Sequence, residues 1–337
     1  PQVVQRSAMC GGTRMELDPM PAAGFRRKND PEAVTSIARA AVTAVLMGSY
    51  VPKPRLGNVK AKGYPGDIFH VDQETGEGIN AINLKDDWGI EGLRENLPQM
   101  VRRAHAFGRK LRISFAGFAP GDFACFLAMV YSLRPVYQPD EIEFNLGCPN
   151  AVGHTIISYD PTIVREVMRA SIEVMPHNGI IPLDAKFSPF ERRPLHAEVC
   201  MQGVMPFYGE RGIRCVVTSN TVPHQQMDDP SGNPRIAALV QDGPNAGTIV
   251  HTGGKSGGDL MLAVSCREAA AWDALLPSEV GLILVGGIGR WEDAEKLIRA
   301  GGGVRRVRGI QIGTAFMQHE DPHVFKDVMM GIGTYLL

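Results

Sequence analysis

The feature that most constrains this chain is the alternation of short apolar segments with longer helical segments along its length. This alternation is typical of a parallel sheet whose strands are joined by crossover helices. Eight strand–helix units in 337 residues predict a (β/α)8 TIM barrel, an α/β fold whose functional groups lie at the C-terminal ends of the strands. The predicted strands are Met15–Pro21, Thr43–Gly48, Leu111–Phe115, Glu141–Asn145, Ile180–Lys186, Ile213–Ser219, Leu282–Gly286 and Gly309–Gly313.

Helical patterns follow the predicted strands, and three of them begin with an Asp-Pro pair. The Asp side chain accepts from free N–H groups, and the Pro takes the first helical position without losing a hydrogen bond. The main alternative fold, an open doubly wound sheet, predicts a glycine fingerprint that Ala22-Ala23-Gly24 does not match. The predicted helices begin near Asp30, Gly92, Gly121, Asp160, Glu191, Ser265, Trp291 and Asp321.

Two segments, 49–90 and 219–264, are too long to be simple connections between a strand and a helix. Both are rich in Gly, Pro, Asn and Asp, so we predict long loop insertions over the C-terminal face of the barrel. The chain is therefore predicted to form a single domain over residues 1–337, with 1–14 as an N-terminal extension to which no element is assigned.

Charge and cysteine usage argue against several classes of protein. The formal net charge is −1, and the basic run Arg305–Arg308 is typical of a solvated turn, so no nucleic-acid partner is predicted. The six cysteines form no Cys-x-x-Cys pair and no cluster at zinc spacing, which predicts reduced thiols, a cytoplasmic location and no metal site. No apolar segment reaches the roughly 18 residues that span a bilayer, so no membrane partner is predicted.

Chemically useful residues follow the last five predicted strands. The C-terminal ends of barrel strands meet at one rim, so we expect these residues to form one site. They are Asn145 and Cys148 after the fourth strand, Lys186 at the end of the fifth, Ser219, Asn220 and Thr221 after the sixth, Gly286 and Gly287 after the seventh, and Gly313 and Thr314 after the eighth.

The glycines after the last two strands indicate a phosphate site. Gly286-Gly287 and Gly313-Thr314 present unobstructed backbone N–H groups near helix N-termini, and phosphate binds at such places after strands seven and eight of barrels. The Gly253–Gly257 run adds a third glycine-rich turn. The alternative, that these glycines only permit tight turns, is disfavoured because two such turns lie on adjacent strands.

Lys186 ends an otherwise apolar strand, where an ammonium needs an anionic partner. A flavin fits this requirement, because a cation beside the N1 and O2 edge of the ring stabilises the charge that reduction places there. The alternative is a structural ion pair between Lys186 and Asp184 or Glu143.

Cys148 lies in the turn Asn145–Asn150, beside Pro149, and is predicted to transfer protons. The neighbouring amides supply donors and acceptors that fit a planar heterocycle. The alternative for Cys148 is an inert buried cysteine, which is the commoner fate of a free thiol.

In order along the chain, these motifs resemble those of the dihydroorotate dehydrogenases, and are most similar to the class 1 enzymes, which use Cys as the base. The resemblance covers most of the chain from Asp18 onward. It is carried by Asn-Leu-Gly-Cys-Pro-Asn at 145–150, Lys186, Ser-Asn-Thr at 219–221, Gly-Gly-Lys-Ser-Gly at 253–257, Gly-Gly-Ile at 286–288 and Gln-Ile-Gly-Thr-Ala at 311–315.

The resemblance implies an FMN-dependent oxidoreductase that oxidises a dihydropyrimidine, foremost dihydroorotate to orotate in pyrimidine biosynthesis. Cys148 would remove the C5 proton, and the C6 hydride would pass to the flavin. Residues 151–159 resemble a loop that closes over the site and excludes water. By resemblance, the substrate would contact Asn80, Asn145, Asn150, Asn220 and Thr221, and the FMN would contact Ala22, Gly24, Ser49, Asn145, Lys186, Ser219, Gly257, Gly286, Gly287, Gly313 and Thr314.

The chain departs from the class 1 pattern at three places. Gly48 stands where those enzymes carry a Lys beside the flavin and substrate, which weakens the case for a carboxylated substrate unless Lys85 or Lys255 substitutes. Ala23 replaces the Ser of the first-strand turn, and the loop after Asn80 lacks the usual Asn-x-x-Gly pattern. The substrate is therefore less well indicated than the flavin chemistry.

Three other functions share parts of the pattern. Dihydropyrimidine dehydrogenases share the Asn-x-x-Cys-Pro element but carry iron–sulfur cysteine clusters. Dihydrouridine synthases share Asn-x-Gly-Cys-Pro but have a basic surface and a further RNA-binding domain. A catalytically inactive flavin-binding barrel is the third. The acceptor of the electrons is open between fumarate, a nicotinamide through a partner flavoprotein, and oxygen, and the class suggests a homodimer.

Overall fold

The structure is a computed structural model. It describes residues 8–10, 13–15, 17–23, 28–40, 42–57, 68–71, 78–81, 84–150, 156–190, 195–209, 212–223, 238–239, 249–250, 254–319 and 323–335.

Eight parallel strands form one sheet that is nearly closed into a barrel, as the sequence predicts. The strands are β1 Asp18–Pro21, β2 Ala44–Tyr50, β3 Lys110–Phe115, β4 Glu141–Asn145, β5 Leu183–Lys186, β6 Ile213–Val217, β7 Gly281–Val285 and β8 Val307–Ile312. In spatial order the sheet runs β1-β8-β7-β6-β5-β4-β3-β2. Strands β1 and β2 face each other across the remaining gap, where the Thr43 N–H donates to the Pro19 carbonyl at 3.1 Å.

Helices follow the strands and cover the outside of the barrel. Two of the predicted Asp-Pro starts have the expected cap: Asp30 accepts from the Glu32 N–H, and Asp160 accepts from the N–H groups of Thr162 and Ile163. The third, at 321–322, lies outside the described residues. The helices are α1 Pro31–Ala38, α2 Gly89–Ala106, α3 Pro120–Ser132, α4 Pro161–Val174, α5 His196–Val199, α6 Gly258–Leu275, α7 Trp291–Ala300, α8 Thr314–His319 and α9 His323–Tyr335.

One predicted helix start is wrong by seven residues. Helix α6 begins at Gly258 rather than near Ser265, because Gly257 serves as its N-cap in a positive-φ conformation that glycine adopts without strain. A run of glycines at the start concealed this first part of the helix. The correction places the N-terminus of α6 next to the rim of the barrel, against the turn that follows β7.

The two faces of the barrel strands differ sharply in polarity. Residues on the outer face pack against the helices and form the main hydrophobic core. On the inner face, β6 and β7 contribute a small apolar cluster with Ala22, while the other half is polar. That half is lined by Arg112, Ser114, Glu141, Glu143, Asn145, Asp184, Lys186 and Gln311, which share the inner face by their register.

The two long insertions meet above the barrel. They form a four-stranded antiparallel sheet, here named the cap sheet, in the order Val222–Pro223, Gly254–Ser256, Gly78–Ala81 and Ile68–Val71. Within it Asn80 pairs with Gly254. The first strand starts directly after Thr221, so the cap sheet continues from the end of β6. In the described part of the chain, no helix combines the length and apolarity needed to cross a membrane.

Candidate active site

A chain of hydrogen bonds connects four strands near their C-terminal ends, at the upper rim of the barrel. The Asn220 amide N–H donates to Asn145 Oδ1 at 2.8 Å, and the Asn145 amide N–H donates to Ser49 Oγ at 2.8 Å. Ser49 and Ser114 hydroxyls are 2.8 Å apart, and Ser114 donates to Glu143 Oε1 at 2.9 Å. Each group therefore donates to the next, and the chain ends on a buried carboxylate. Asn145, Asn220 and Ser49, predicted from three different strands, lie together.

Lys186 ends a second chain that reaches the same carboxylate. Its Nζ donates to Gln311 Oε1 at 3.1 Å, and the Gln311 amide N–H donates to Glu143 Oε2. Neither Asp184 nor Glu143 contacts Lys186 directly, because Asp184 pairs with arginines and Gln311 stands between Lys186 and Glu143. The direct ion pair considered from the sequence is thus replaced by a relay through a neutral amide. The ammonium, 3% exposed, remains at the rim beside Asn145, its neighbour in the register.

Close backbone packing holds the turn that carries Cys148. A side chain on Gly147 would overlap the backbone of Phe187 and Ser188, so only glycine fits there. The Ser188 hydroxyl donates to the Gly147 carbonyl at 2.8 Å, and the Ser188 N–H donates to Ser158 Oγ at 3.2 Å. The Ser158 N–H in turn donates to the Leu146 carbonyl at 3.0 Å. Ser158 and Ser188 thereby fix the Cys148 turn, and both were missed in the sequence because they act through tertiary contacts.

Cys148 is buried in an apolar pocket, packed with Val51 and Ala116. Burial raises the pKa of its thiol. The Asn150 N–H and the positive charges of Lys28, Arg55 and Lys186 act in the opposite direction and lower that pKa. Cys148 thus differs from Cys215, whose pKa burial and the Asp184 carboxylate raise far above the usual range. Cationic neighbours are what a reactive cysteine requires.

The turn after β6 presents polar groups toward the same rim. The Asn220 Oδ1 accepts from the Thr221 N–H at 2.8 Å, and Ser219 Oγ donates to the Asn220 carbonyl at 2.8 Å. These contacts orient the Asn220 side chain toward Asn145. The Thr221 hydroxyl is buried and has no hydrogen-bond partner among the described residues.

The glycine turn after β7 packs tightly on the first turns of α6. Side chains on Gly286 or Gly287 would overlap Ser265 Oγ or the Leu262 N–H, so the backbone of this turn stays bare. Gly257, the N-cap of α6, offers no side chain to the N–H groups of the first turn. Gly313 and buried Thr314 join β8 to α8 on the neighbouring strand. This corner therefore presents backbone donors of the kind that bind phosphate.

Other predicted positions are placed only in part. Ala22 is buried at the end of β1, where its N–H donates to the Ile312 carbonyl at 2.8 Å, and Asn150 is buried after Cys148. Gly24 and residues 151–155 of the predicted closing loop lie outside the described residues. For Asn80 and Lys255 the structure describes the backbone in the cap sheet but not the side chain.

Of the two lysines suggested from the sequence to replace the cation missing at Gly48, the structure excludes Lys85 and describes no side chain for Lys255. Lys85 is exposed and forms a 2.9 Å ion pair with Asp87, and a side chain at Gly48 would overlap the Ser114 carbonyl. A buried cation next to this position is Lys28, which lies between β1 and α1, donates to the Ser49 carbonyl and is only 6% exposed. The sequence signal was its place after a strand end at the rim, but it follows Arg26-Arg27 and resembles part of a solvated basic run.

Comparison with known proteins agrees with this geometry. A family model described as dihydroorotate dehydrogenase matches residues 10–336. A protein of Methanosarcina acetivorans, named dihydroorotate dehydrogenase B (NAD(+)), catalytic subunit, is 29% identical over 225 residues, which are 66% of this chain and 60% of that protein. A protein of the same name from Pyrococcus horikoshii is 31% identical over 259 residues, 77% of this chain and 71% of that protein. The match thus spans less than two thirds of the first of these relatives.

A solved structure shares the fold. It is the crystal structure of DHODH from Eimeria tenella in complex with ferulenol, with a TM-score of 0.71 and 18% sequence identity. The superposition covers 98% of this chain and 86% of that one. At this identity the likeness concerns the barrel and not the ligands.

Proposed function

The chain belongs to the dihydroorotate dehydrogenase family, and from this premise we propose that it is an FMN-dependent oxidoreductase that oxidises a dihydropyrimidine, foremost dihydroorotate to orotate. The observation that carries the proposal is the convergence of Asn145, Asn220 and Lys186 on one rim, linked through Glu143 and adjoining the Cys148 turn. Planar amides, a cation and a thiol are the groups that such a reaction requires.

The fit of an FMN phosphate is supported by the bare backbone at one corner of the rim. Gly286 and Gly287 have positive φ values of 107° and 76°, and the N-terminus of α6 stands against them. We infer that Gly257, Gly286, Gly287, Gly313 and Thr314 hold the phosphate through N–H groups and the Thr314 hydroxyl.

The fit of the flavin ring is supported by Lys186 and Ser49. When bound, FMN supplies a hydride acceptor. Lys186 would hold the N1 and O2 edge, with Gln311 keeping its ammonium in place, and Ser49 and Asn145 would bind the polar edge of the ring. Ala22 and Gly24 would lie against the ring from the first-strand turn, and Ser219 from the end of β6.

The substrate ring would lie against the amide pair. Asn145 and Asn220 orient each other, so their remaining donors and acceptors are set before a ligand arrives. The buried Thr221 hydroxyl has hydrogen-bonding capacity left among the described residues. Asn150 and Asn80 would complete the set, the latter from the cap sheet.

Cys148 is proposed to remove the proton at C5. Its burial excludes water and raises the pKa of its thiol, and the Asn150 N–H and the surrounding cations offset part of that rise. The Gly147 turn fixes the thiol relative to Asn145, three residues earlier.

Two questions remain within this proposal, and each has a direct measurement. The names of the relatives carry NAD(+) and the words catalytic subunit, which favours electron transfer to a nicotinamide through a partner subunit over fumarate or oxygen. Reoxidation of the reduced protein by each acceptor ranks them. The second question is the substrate: a dihydropyrimidine dehydrogenase-like or dihydrouridine synthase-like activity predicts that an uncarboxylated ring reduces the flavin instead of dihydroorotate.

The test is anaerobic bleaching of the flavin absorbance. FMN-loaded protein is mixed separately with dihydroorotate, dihydrouracil and dihydrothymine, and we expect dihydroorotate to bleach it fastest. Cys148→Ala should retain the flavin spectrum but lose bleaching by at least about a hundredfold, as expected for loss of a general base. Cys125→Ala, at an exposed thiol in the middle of α3, is the matched control and should behave as the parent. Protein that takes up no FMN, or a Cys148→Ala variant bleached at the parental rate, contradicts the proposal.

A further inference from the structure

Lys28 is a buried ammonium whose described partners are all neutral. Its Nζ donates to the Ser49 carbonyl and lies 5.7 Å from the centre of the Tyr50 ring. An ammonium has three donors, and burying one without an anion is costly. Among the described residues, none brings a carboxylate oxygen into ion-pair distance of Lys28. Its position therefore needs a reason other than a structural salt bridge.

The nearest acidic group is already committed to other donors. Asp86 is fully buried, and its carboxylate accepts from the Val51 N–H at 2.9 Å, the Trp88 N–H at 3.0 Å and the Asn29 amide at 2.9 Å. These are neutral donors that fix the loop after β2. Asp86 consequently offsets the Lys28 charge only at a distance, and raises the pKa of Lys28 less than burial lowers it, to about 8.

The C-terminal end of β2, which holds Lys28, also contributes to the Cys148 pocket. Lys28 binds Ser49, and two residues later Val51 packs on Cys148. The Tyr50 hydroxyl between them donates to the Lys28 carbonyl at 2.6 Å, which anchors the lysine backbone. Residues 49–51 thus bring the ammonium and the thiol to the two ends of one short segment.

Two other cations act on Cys148, and both are weaker candidates. Lys186 is tied through Gln311 to the Glu143 carboxylate, which offsets its charge. Arg55 lies 5.5 Å from the Phe118 ring beside the pocket but is half-buried, so solvent screens it more. Of these three cations, Lys28 and Lys186 are the buried ones, and only Lys186 is linked to a carboxylate by described hydrogen bonds.

We propose that Lys28 is a positioning residue for Cys148: its buried ammonium, held on the Ser49 carbonyl, favours the thiolate in an otherwise apolar pocket. The effect is reciprocal, since the thiolate also stabilises the ammonium. The charged groups that face the pair are Asp86, Asp87 and Arg55 around Lys28, and Arg55 and Lys186 around Cys148. The importance of this charge for turnover rests on the proposed function, but the reactivity of the thiol does not.

The experiment measures the alkylation rate of Cys148 by iodoacetamide as a function of pH, with each cysteine mapped by mass spectrometry. Lys28→Met keeps the apolar stem and removes the charge, Lys28→Arg keeps the charge, and Lys85→Met is the matched control at an exposed lysine. Near neutral pH we expect Lys28→Met to slow Cys148 alkylation by about tenfold or more, Lys28→Arg to recover most of the rate, and Lys85→Met to change nothing. The exposed Cys125 is the internal reference in every sample.

A second readout separates the charge from a structural effect. The ratio of parental to Lys28→Met rates should be largest below about pH 8 and fall as the pH rises, because Lys28 then loses its proton. A ratio that stays constant with pH, or a Lys28→Met rate equal to the parental rate, overturns the proposal. If Lys28→Met does not fold, the parental profile decides: coupled ionisation predicts a broadened curve, and a single-proton curve overturns the proposal. These outcomes are read without flavin reduction, so they are distinguishable from failure of the proposed function.

Discussion

Charged side chains line both ends of the barrel interior, and their partners differ between the two ends. The lower end is the one toward the N-terminal ends of the strands, and the upper end is the rim at their C-terminal ends. At the lower end Arg112 pairs with Asp184 and, at 3.1 Å, with Glu141. Arg214 pairs with the same two carboxylates, Glu141 at 2.9 Å and Asp184 at 3.1 Å. Two arginines thus face two buried carboxylates, and the pKa of Glu141 is lowered to about 2 by Arg112 and Arg214 against the effect of burial.

At the upper end, cations and anions are kept apart by neutral groups. Lys186 reaches Glu143 only through Gln311, and Lys28 binds a backbone carbonyl. Glu143 receives hydroxyl and amide donors rather than an ammonium. The lower end therefore satisfies its charges internally, and in the proposed function the upper end keeps positive charge available for the reacting groups. This division matches the general separation of stability and chemistry between the two faces of such barrels.

The largest expected effect is at the lower end, and Asp184→Asn tests it. The change leaves Arg112, which is 1% exposed, and Arg214 to share the single carboxylate of Glu141. One buried positive charge then lacks a compensating anion. We expect the free energy of unfolding to fall by about 3–5 kcal/mol, measured by urea denaturation. Flavin binding by the folded variant should be unchanged. A loss below about 1 kcal/mol would mean that these ion pairs contribute no more than surface pairs do.

A smaller loss is expected from the matching substitution at the upper end, Glu143→Gln. Glu143 pairs with no cation directly in the described structure. The variant therefore keeps one acceptor oxygen for two neutral donors, and we expect the free energy of unfolding to fall by about 1–3 kcal/mol. Its larger consequence should be functional. One of the two donor chains, through Ser49 or through Gln311, loses its acceptor oxygen, so Asn145 or Lys186 loses its fixed orientation and flavin reduction slows. If Glu143→Gln costs as much stability as Asp184→Asn and leaves reduction intact, the division between the two ends is wrong.

The sequence predicted the barrel and the rim because both depend on local patterns. Strand–helix alternation defines the fold, and Asn145, Lys186 and Asn220 were assigned to one rim because each ends or follows a strand. The alternation of Glu141, Glu143 and Asn145 along one strand also indicates the polar interior. Lys28, Ser158 and Ser188 could not be predicted in this way, because their roles depend on contacts between segments far apart in the chain.

The last comparison concerns how stability depends on pH at the two ends. Glu141 has a folded pKa of about 2, below its ordinary 4.5, so its contribution is complete above about pH 4.5 and is lost as the pH falls toward 2. Lys28 has a folded pKa of about 8, below its ordinary 10.5. Between about pH 8 and pH 10.5 the unfolded chain binds more protons at Lys28 than the folded chain does, so the contribution of Lys28 to stability rises with pH.

Urea denaturation of the parent and of Lys28→Met across this alkaline range isolates the lysine from other titrating groups. The stability of the parent relative to Lys28→Met should increase from about pH 8 to 10.5 and be constant below that window. The same comparison with Glu141→Gln should show its pH dependence only in acid. A Lys28→Met difference that does not vary with pH would mean that the Lys28 ammonium is stabilised in the folded chain as well as in water. The charge at the upper end would then be compensated within the folded chain, as it is at the lower end. Burial of the Lys28 ammonium would carry no free-energy cost for a reacting anion to relieve.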